Sequence, residues 1–155
     1  MRGSFVTTAI GIVAAALLGG CDDKKNTATA FKATVEAEIE RLKKEPGCAS
    51  IKSDDTGADY TATCVNDGWR AVVTGDGKGP RTKVFAVEFY PARNGQVTQS
   101  GAVPENIVKA AAQAYGFAPD KAAEWYRGDR KAKLTAGKLQ LWSRGAGTIL
   151  FDILD

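Results

Sequence analysis

From Phe31 onward the apolar residues Phe31, Val35, Ile39 and Leu42 recur at intervals of four, four and three, which lays a single apolar stripe along a helix. Glu36, Glu38, Glu40, Arg41, Lys43 and Lys44 occupy the rest of that surface, with Glu40 and Lys44 spaced for an i,i+4 pair, and Pro46-Gly47 ends the segment. Because the polar side mixes acid and base, the pattern favours packing on a sheet over lying on a membrane. The period then shortens to two. Cys48 to Lys52, Tyr60 to Val65, Trp69 to Thr74 and Lys83 to Tyr90 read as strands, separated by turns at Ser53 to Gly57 and Asn66-Asp67-Gly68. In the fourth strand Phe85, Val87 and Phe89 share one face while Val84, Ala86, Glu88 and Tyr90 share the other. Both faces are largely apolar, which predicts a central position. Asn94-Gly95 predicts a hairpin leading into Gln96 to Ser100.

Helical spacing returns at Pro104, with Ile107, Val108, Ala111, Ala114 and Tyr115 on one side as far as Gly116. A second short helix is predicted from Pro119 to Arg127, stopping at Gly128. The tail alternates again: Leu139 and Leu141 oppose Lys138, Gln140 and Trp142, and a turn at Ser143 to Gly147 leads into Thr148 to Leu154. The order of helix, strands, two helices and hairpin predicts an α+β fold, with an antiparallel sheet of about five to seven strands, an N-terminal amphipathic helix and two further helices. One domain over residues 31–155 accounts for all of these elements.

The first twenty residues do not share these patterns. Arg2 precedes fourteen uncharged residues, Phe5 to Leu18, rich in Ala, Ile, Val and Leu. As a helix they would span roughly 21 Å, short of the ~30 Å hydrocarbon core, so a secretory signal peptide fits better than a membrane span. The stretch closes with Leu18-Gly19-Gly20-Cys21, which resembles the lipobox of bacterial lipoproteins, although Gly19 stands where Ala or Ser is more usual. The resemblance covers these residues alone. It implies that residues 1–20 are removed, that Cys21 is lipidated, and that residues 21–30 tether the domain to the membrane. Two or three acyl chains on Cys21 would hold it stably. Asp22 and Asp23 resemble a signal for retention on the periplasmic side of the inner membrane, the outer membrane being the other destination.

That placement gives the remaining cysteines a meaning. In an oxidising periplasm Cys48 and Cys64 read as a disulfide, worth about 3 kcal/mol for a loop of this length on the chain-entropy model. Charge narrows the function little: Lys and Arg number 21 against 18 Asp and Glu, and no histidine is present. His-dependent nucleophile systems, His acid–base chemistry and most zinc sites are thereby excluded. No cofactor or metal is implied, and the small net charge gives no reason to expect nucleic acid.

Three places merit chemical attention. Trp125, Tyr126, Arg127 and Arg130 are residue types that anchor protein interfaces, and they are the expected partner-binding surface. The glycine-rich loop from Gly75 to Gly79 is a second contact candidate; it lacks the spacing of a phosphate-binding loop. Glu88 and Asp152 are carboxylates set in apolar strands, which an envelope glycan-cleaving enzyme would use as a pair if the strands were neighbours. Trp69 and Trp142 are assigned to the core. The expected function is a membrane-anchored periplasmic lipoprotein that binds an envelope protein without catalysis, as an assembly factor, inhibitor or immunity or exclusion protein. The alternatives are a peptidoglycan- or glycan-directed enzyme or binder, and a structural lipoprotein with no specific ligand.

Overall fold

The computed structural model describes residue 31 and residues 34–55, 57–145 and 147–154. The expected signal peptide and tether, with Cys21, Asp22 and Asp23, lie outside the described residues. Three helices and eight strands follow in the order α1 (Val35–Lys44), β1 (Ser50–Asp55), β2 (Tyr60–Val65), β3 (Trp69–Asp76), β4 (Lys83–Arg93), β5 (Gln96–Val97), α2 (Glu105–Ala114), α3 (Pro119–Arg127), β6 (Leu134–Ala136), β7 (Leu139–Trp142) and β8 (Ile149–Ile153). The fold is α+β, with one antiparallel sheet in the spatial order β1-β2-β3-β4-β8-β7-β6 and β5 paired to β4.

Local chemistry sets the element ends. Thr34 caps α1, its hydroxyl accepting from the Ala37 N–H at 3.2 Å. The helix therefore begins at Val35, and Phe31 lies ahead of the cap, its ring edge-on to Tyr115 at 5.4 Å. Gly116 takes φ 81° after α2, and the Phe117 N–H returns to the Ala112 carbonyl, a left-handed helix stop. The short strand β6 carries too few alternating positions to be seen in the sequence and exists through its pairing with β7. The Ser53 to Gly57 turn is shorter than expected because Ser53, Asp54 and Asp55 continue β1 against Ala62, Thr61 and Tyr60.

Strand register divides the sheet into two unlike faces. Ala62, Cys64, Ala71, Val73, Val87, Phe89, Leu139, Leu141, Ile149 and Phe151 point to one side and form a single core with all three helices. Phe151 sits at its centre, with the rings of Tyr115, Phe117 and Phe89 at 4.5, 5.6 and 6.0 Å. A register shift between Thr74 and Gly75 inserts one extra residue in β4, so Val84 turns inward and Phe85 is 39% exposed. This corrects the strict alternation expected for that strand: the bulge moves Phe85 off the face of Val87 and Phe89.

The core also takes in charge. Glu38, assigned by its spacing to the polar face of α1, has a fully buried side chain. Arg41 donates to it from Nε at 2.9 Å and again from Nη2, and the Tyr115 hydroxyl donates at 2.7 Å. Arg41 also donates to the Ala114 carbonyl at 2.9 Å and lies 4.1 Å above the Tyr115 ring, tying α1 to the end of α2. On the exposed side Glu40 pairs with Lys43 rather than Lys44. The Cys48–Cys64 disulfide forms, with Cα atoms 5.4 Å apart, and staples the end of α1 to β2.

Candidate functional site

No described helix packs on the other face of the sheet. Strand pairing aligns its side chains in rows. One row runs Thr63, Val72, Glu88, Leu150 and Trp142 across five strands, and beside it run Val65, Arg70 and Tyr90 on one flank and Thr74, Ala86, Asp152 and Gln140 on the other. Most of these residues are half-buried. Leu150 alone is 2% exposed, flanked across its two neighbouring strands by Glu88 and Trp142 and separate from the helix-covered core.

The polar groups on this face bind one another. Trp142 Nε1 donates to Asp152 Oδ2 at 2.9 Å. Arg144 approaches Glu88 Oε2 at 3.8 Å and lies 5.4 Å from the Trp142 ring, with Lys133 Nζ at 4.9 Å from the same ring. Burial, and then the adjacent Glu88 carboxylate, hold the Tyr90 hydroxyl well above its ordinary pKa; Arg144 opposes that shift only in part. Tyr90 therefore keeps its hydroxyl proton at neutral pH. Two polar atoms of this face, Arg70 Nε and Asp152 Oδ1, are buried and find no hydrogen-bond partner among the described residues. Leaving such a group unpaired costs about 1–3 kcal/mol, more when it is charged.

Glu88 and Asp152 thus sit on adjacent strands and the same face, offset by one pleat, since Glu88 opposes Leu150 and Asp152 opposes Ala86. Each already has a partner, Arg144 and Trp142 respectively. Among the described residues no three His, Cys, Asp or Glu side chains group to hold a metal ion.

The expected partner-binding cluster is divided between core and surface. Trp125 and Tyr126 are 8% and 7% exposed and belong to the core. Their polar tips are satisfied internally: Trp125 Nε1 donates to the Ala132 carbonyl at 2.5 Å and the Tyr126 hydroxyl to the Gly147 carbonyl at 2.9 Å. The cause is helical phase, because Ala122, Ala123, Trp125 and Tyr126 make the inward stripe of α3. Arg127 remains exposed and pairs with Glu105 at 3.3 Å, while Arg130 stacks 5.0 Å over Tyr126. Trp69 is in the core as expected, 5.8 Å from Phe89, but Trp142 is on the open face instead. Its place was signalled by its parity with Lys138 and Gln140.

The loop from Gly75 to Gly79 is tied down rather than free. Gly75 is buried, and a Cβ there would stand 2.2 Å from Thr82 Oγ1 and 2.6 Å from Val35 Cγ2. The neighbouring Pro80 and Thr82 carbonyls accept from the Glu36 and Val35 N–H groups, satisfying the first turn of α1.

No protein-family model, curated protein or solved structure matches this chain. Among the described residues no helix is long and apolar enough to cross a membrane.

Proposed function

We propose that this protein is a periplasmic lipoprotein, lipidated at Cys21 and retained at the inner membrane by Asp22 and Asp23. In this reading its domain binds an envelope protein without catalysis, and the contact surface is the open sheet face around Arg70, Tyr90, Trp142 and Arg144. The observation that carries the surface is the grouping of Arg70 opposite Tyr90, and of Arg144 over the Trp142 ring, on the sheet face that no described helix covers. Aromatic and arginine side chains grouped on a sheet face that no described helix covers are the residue types that anchor protein interfaces. The test is co-purification of the full-length lipidated protein from crosslinked membranes, compared with Trp142→Ala and Arg70→Gln. A stoichiometric protein retained by the wild type and lost from both variants, with their thermal stability preserved, is the expected result. Equal retention by all three would remove the surface assignment.

A glycan-directed enzyme is the second reading, favoured by the placement of Glu88 and Asp152 on neighbouring strands. Retention of muropeptides in place of a protein, with turnover abolished in Glu88→Gln and the fold intact, would establish it over the first.

A further inference from the structure

The positive charge of the chain is concentrated at one edge of the sheet. The whole chain carries +3, and the segment from Arg127 to Arg144 holds six Lys and Arg and one carboxylate, Asp129; Arg127 and Arg144 pair with Glu105 and Glu88 from elsewhere in the fold, which leaves Arg130, Lys131, Lys133 and Lys138. The segment following α3 and the end of β7 bound a cleft of about 380 Å3, within the size range of small-ligand sites. Arg130, Lys131 and Lys133 line it with Asp129, a net charge of +2, and Trp142 and Ser143 complete the wall.

The cations are positioned mainly by neutral groups. Lys133 Nζ donates to Gln140 Oε1 at 3.1 Å and rests against the Trp142 ring, and Arg130 rests against the Tyr126 ring. Among the described residues neither has an ion pair with a carboxylate, and Lys131 meets Asp129 only at 3.8 Å with its side chain 90% exposed. Aromatic rings and an amide orient a cation without neutralising it, so the field in the cleft stays positive. Lys133 and Arg144 also sit over the Trp142 ring, so that ring holds cations in place and is not a bare platform for a sugar.

We propose that this cleft is a binding site for a phosphate monoester. Such a group carries about −1.5 to −2 charge at pH 7, which matches the cleft, whereas one carboxylate would neutralise half of it. Arg130 and Lys133 supply the charge-assisted N–H donors, and the Ser143 hydroxyl stands in the same wall as a neutral O–H donor. The phosphate can belong to a soluble ester or to a lipid headgroup. The site shares Trp142 with the proposed protein-binding surface but rests on the cations of the sheet edge, so the loss of one reading leaves the other standing.

The test uses the full chain in neutral detergent micelles and follows the indole N–H resonance of Trp142, identified by its loss in Trp142→Phe. Glycerol 3-phosphate is titrated in one arm and phosphatidic acid is added to the micelles in the other, each against chloride at matched ionic strength. The expected result is a saturable shift in at least one arm and none with chloride. Arg130→Gln and Lys133→Gln should each weaken that binding roughly tenfold or more, at unchanged thermal stability, while Lys138→Gln outside the cleft leaves it unaltered. A shift with glycerol 3-phosphate supports the soluble source, and one confined to phosphatidic acid supports the headgroup. A linear shift shared with chloride, no shift in either arm, or equal weakening by Lys138→Gln would overturn the site.

Discussion

Replacing Arg41 with Met should destabilise the fold by about 3 kcal/mol, out of proportion to a change near the protein surface. The Met side chain keeps much of the packing of the arginine stem, so the substitution isolates the charge. What it removes is the Nε bond to Glu38 Oε1 at 2.9 Å, the second donation from Nη2 and the bond to the Ala114 carbonyl. Glu38, whose side chain is fully buried, keeps the 2.7 Å hydrogen bond from Tyr115 and loses the guanidinium. Breaking a buried pair in this way costs about 3–5 kcal/mol. The lower end applies because the Arg41 side chain is 15% exposed and water can reach the vacated position. Replacing both partners, Glu38→Gln with Arg41→Met, removes the buried carboxylate charge together with the cation and should recover roughly half of the loss or more. Urea unfolding followed by tryptophan fluorescence measures this directly, and about 3 kcal/mol moves the midpoint by roughly 1–3 M at ordinary m-values. A midpoint shift under a third of that for Arg41→Met, or a double variant less stable than the single one, would refute the reasoning.

Three other outcomes are expected. Reducing Cys48–Cys64, or replacing both residues by Ser, should cost about 3 kcal/mol, read as a lower urea midpoint; no change would mean that pairing within the sheet already restricts the unfolded chain there. Gly147→Ala should cost roughly 2–4 kcal/mol by thermal melting, since φ is 70° and the new Cβ would stand 2.3 Å from the Gly101 carbonyl oxygen. At high pH, Tyr115 should couple ionisation to unfolding. Burial first, and then Glu38, raise its pKa well above 10.0, so the contribution is intact below that value and is lost as pH climbs above it. Absorbance titration should show the Tyr115 phenolate appearing together with the loss of secondary structure, and Tyr115→Phe should flatten the stability loss; ionisation of Tyr115 in a folded chain would contradict this.

Much of the architecture was legible in the chain because period and punctuation are local properties. The spacing of Ile107, Val108 and Ala111, the stop at Gly116 and the alternation in β4 and β7 identify their elements without knowledge of neighbours. The pairing of Cys48 with Cys64 was expected from the two cysteines that remain when Cys21 is assigned to the proposed lipid anchor. Which side of an element faces inward was a different matter. The indole of Trp142 could be placed with Lys138 and Gln140 by parity, but only the sheet order shows that its row lies opposite the helices. Trp125 and Tyr126 carry interface chemistry in their composition, and the packing of α3 turns that chemistry into core. Glu38 looks like any helix-surface carboxylate until Tyr115, 77 residues later, arrives against it. The pairing of β4 with β8 is a contact of the same kind, uniting Glu88 and Asp152 on one face across more than sixty residues. Sequence patterns determine the period of each segment because that depends on backbone geometry over a few residues. Partnership between segments, and with it burial, charge compensation and the composition of every candidate site, is decided only when strands and helices meet.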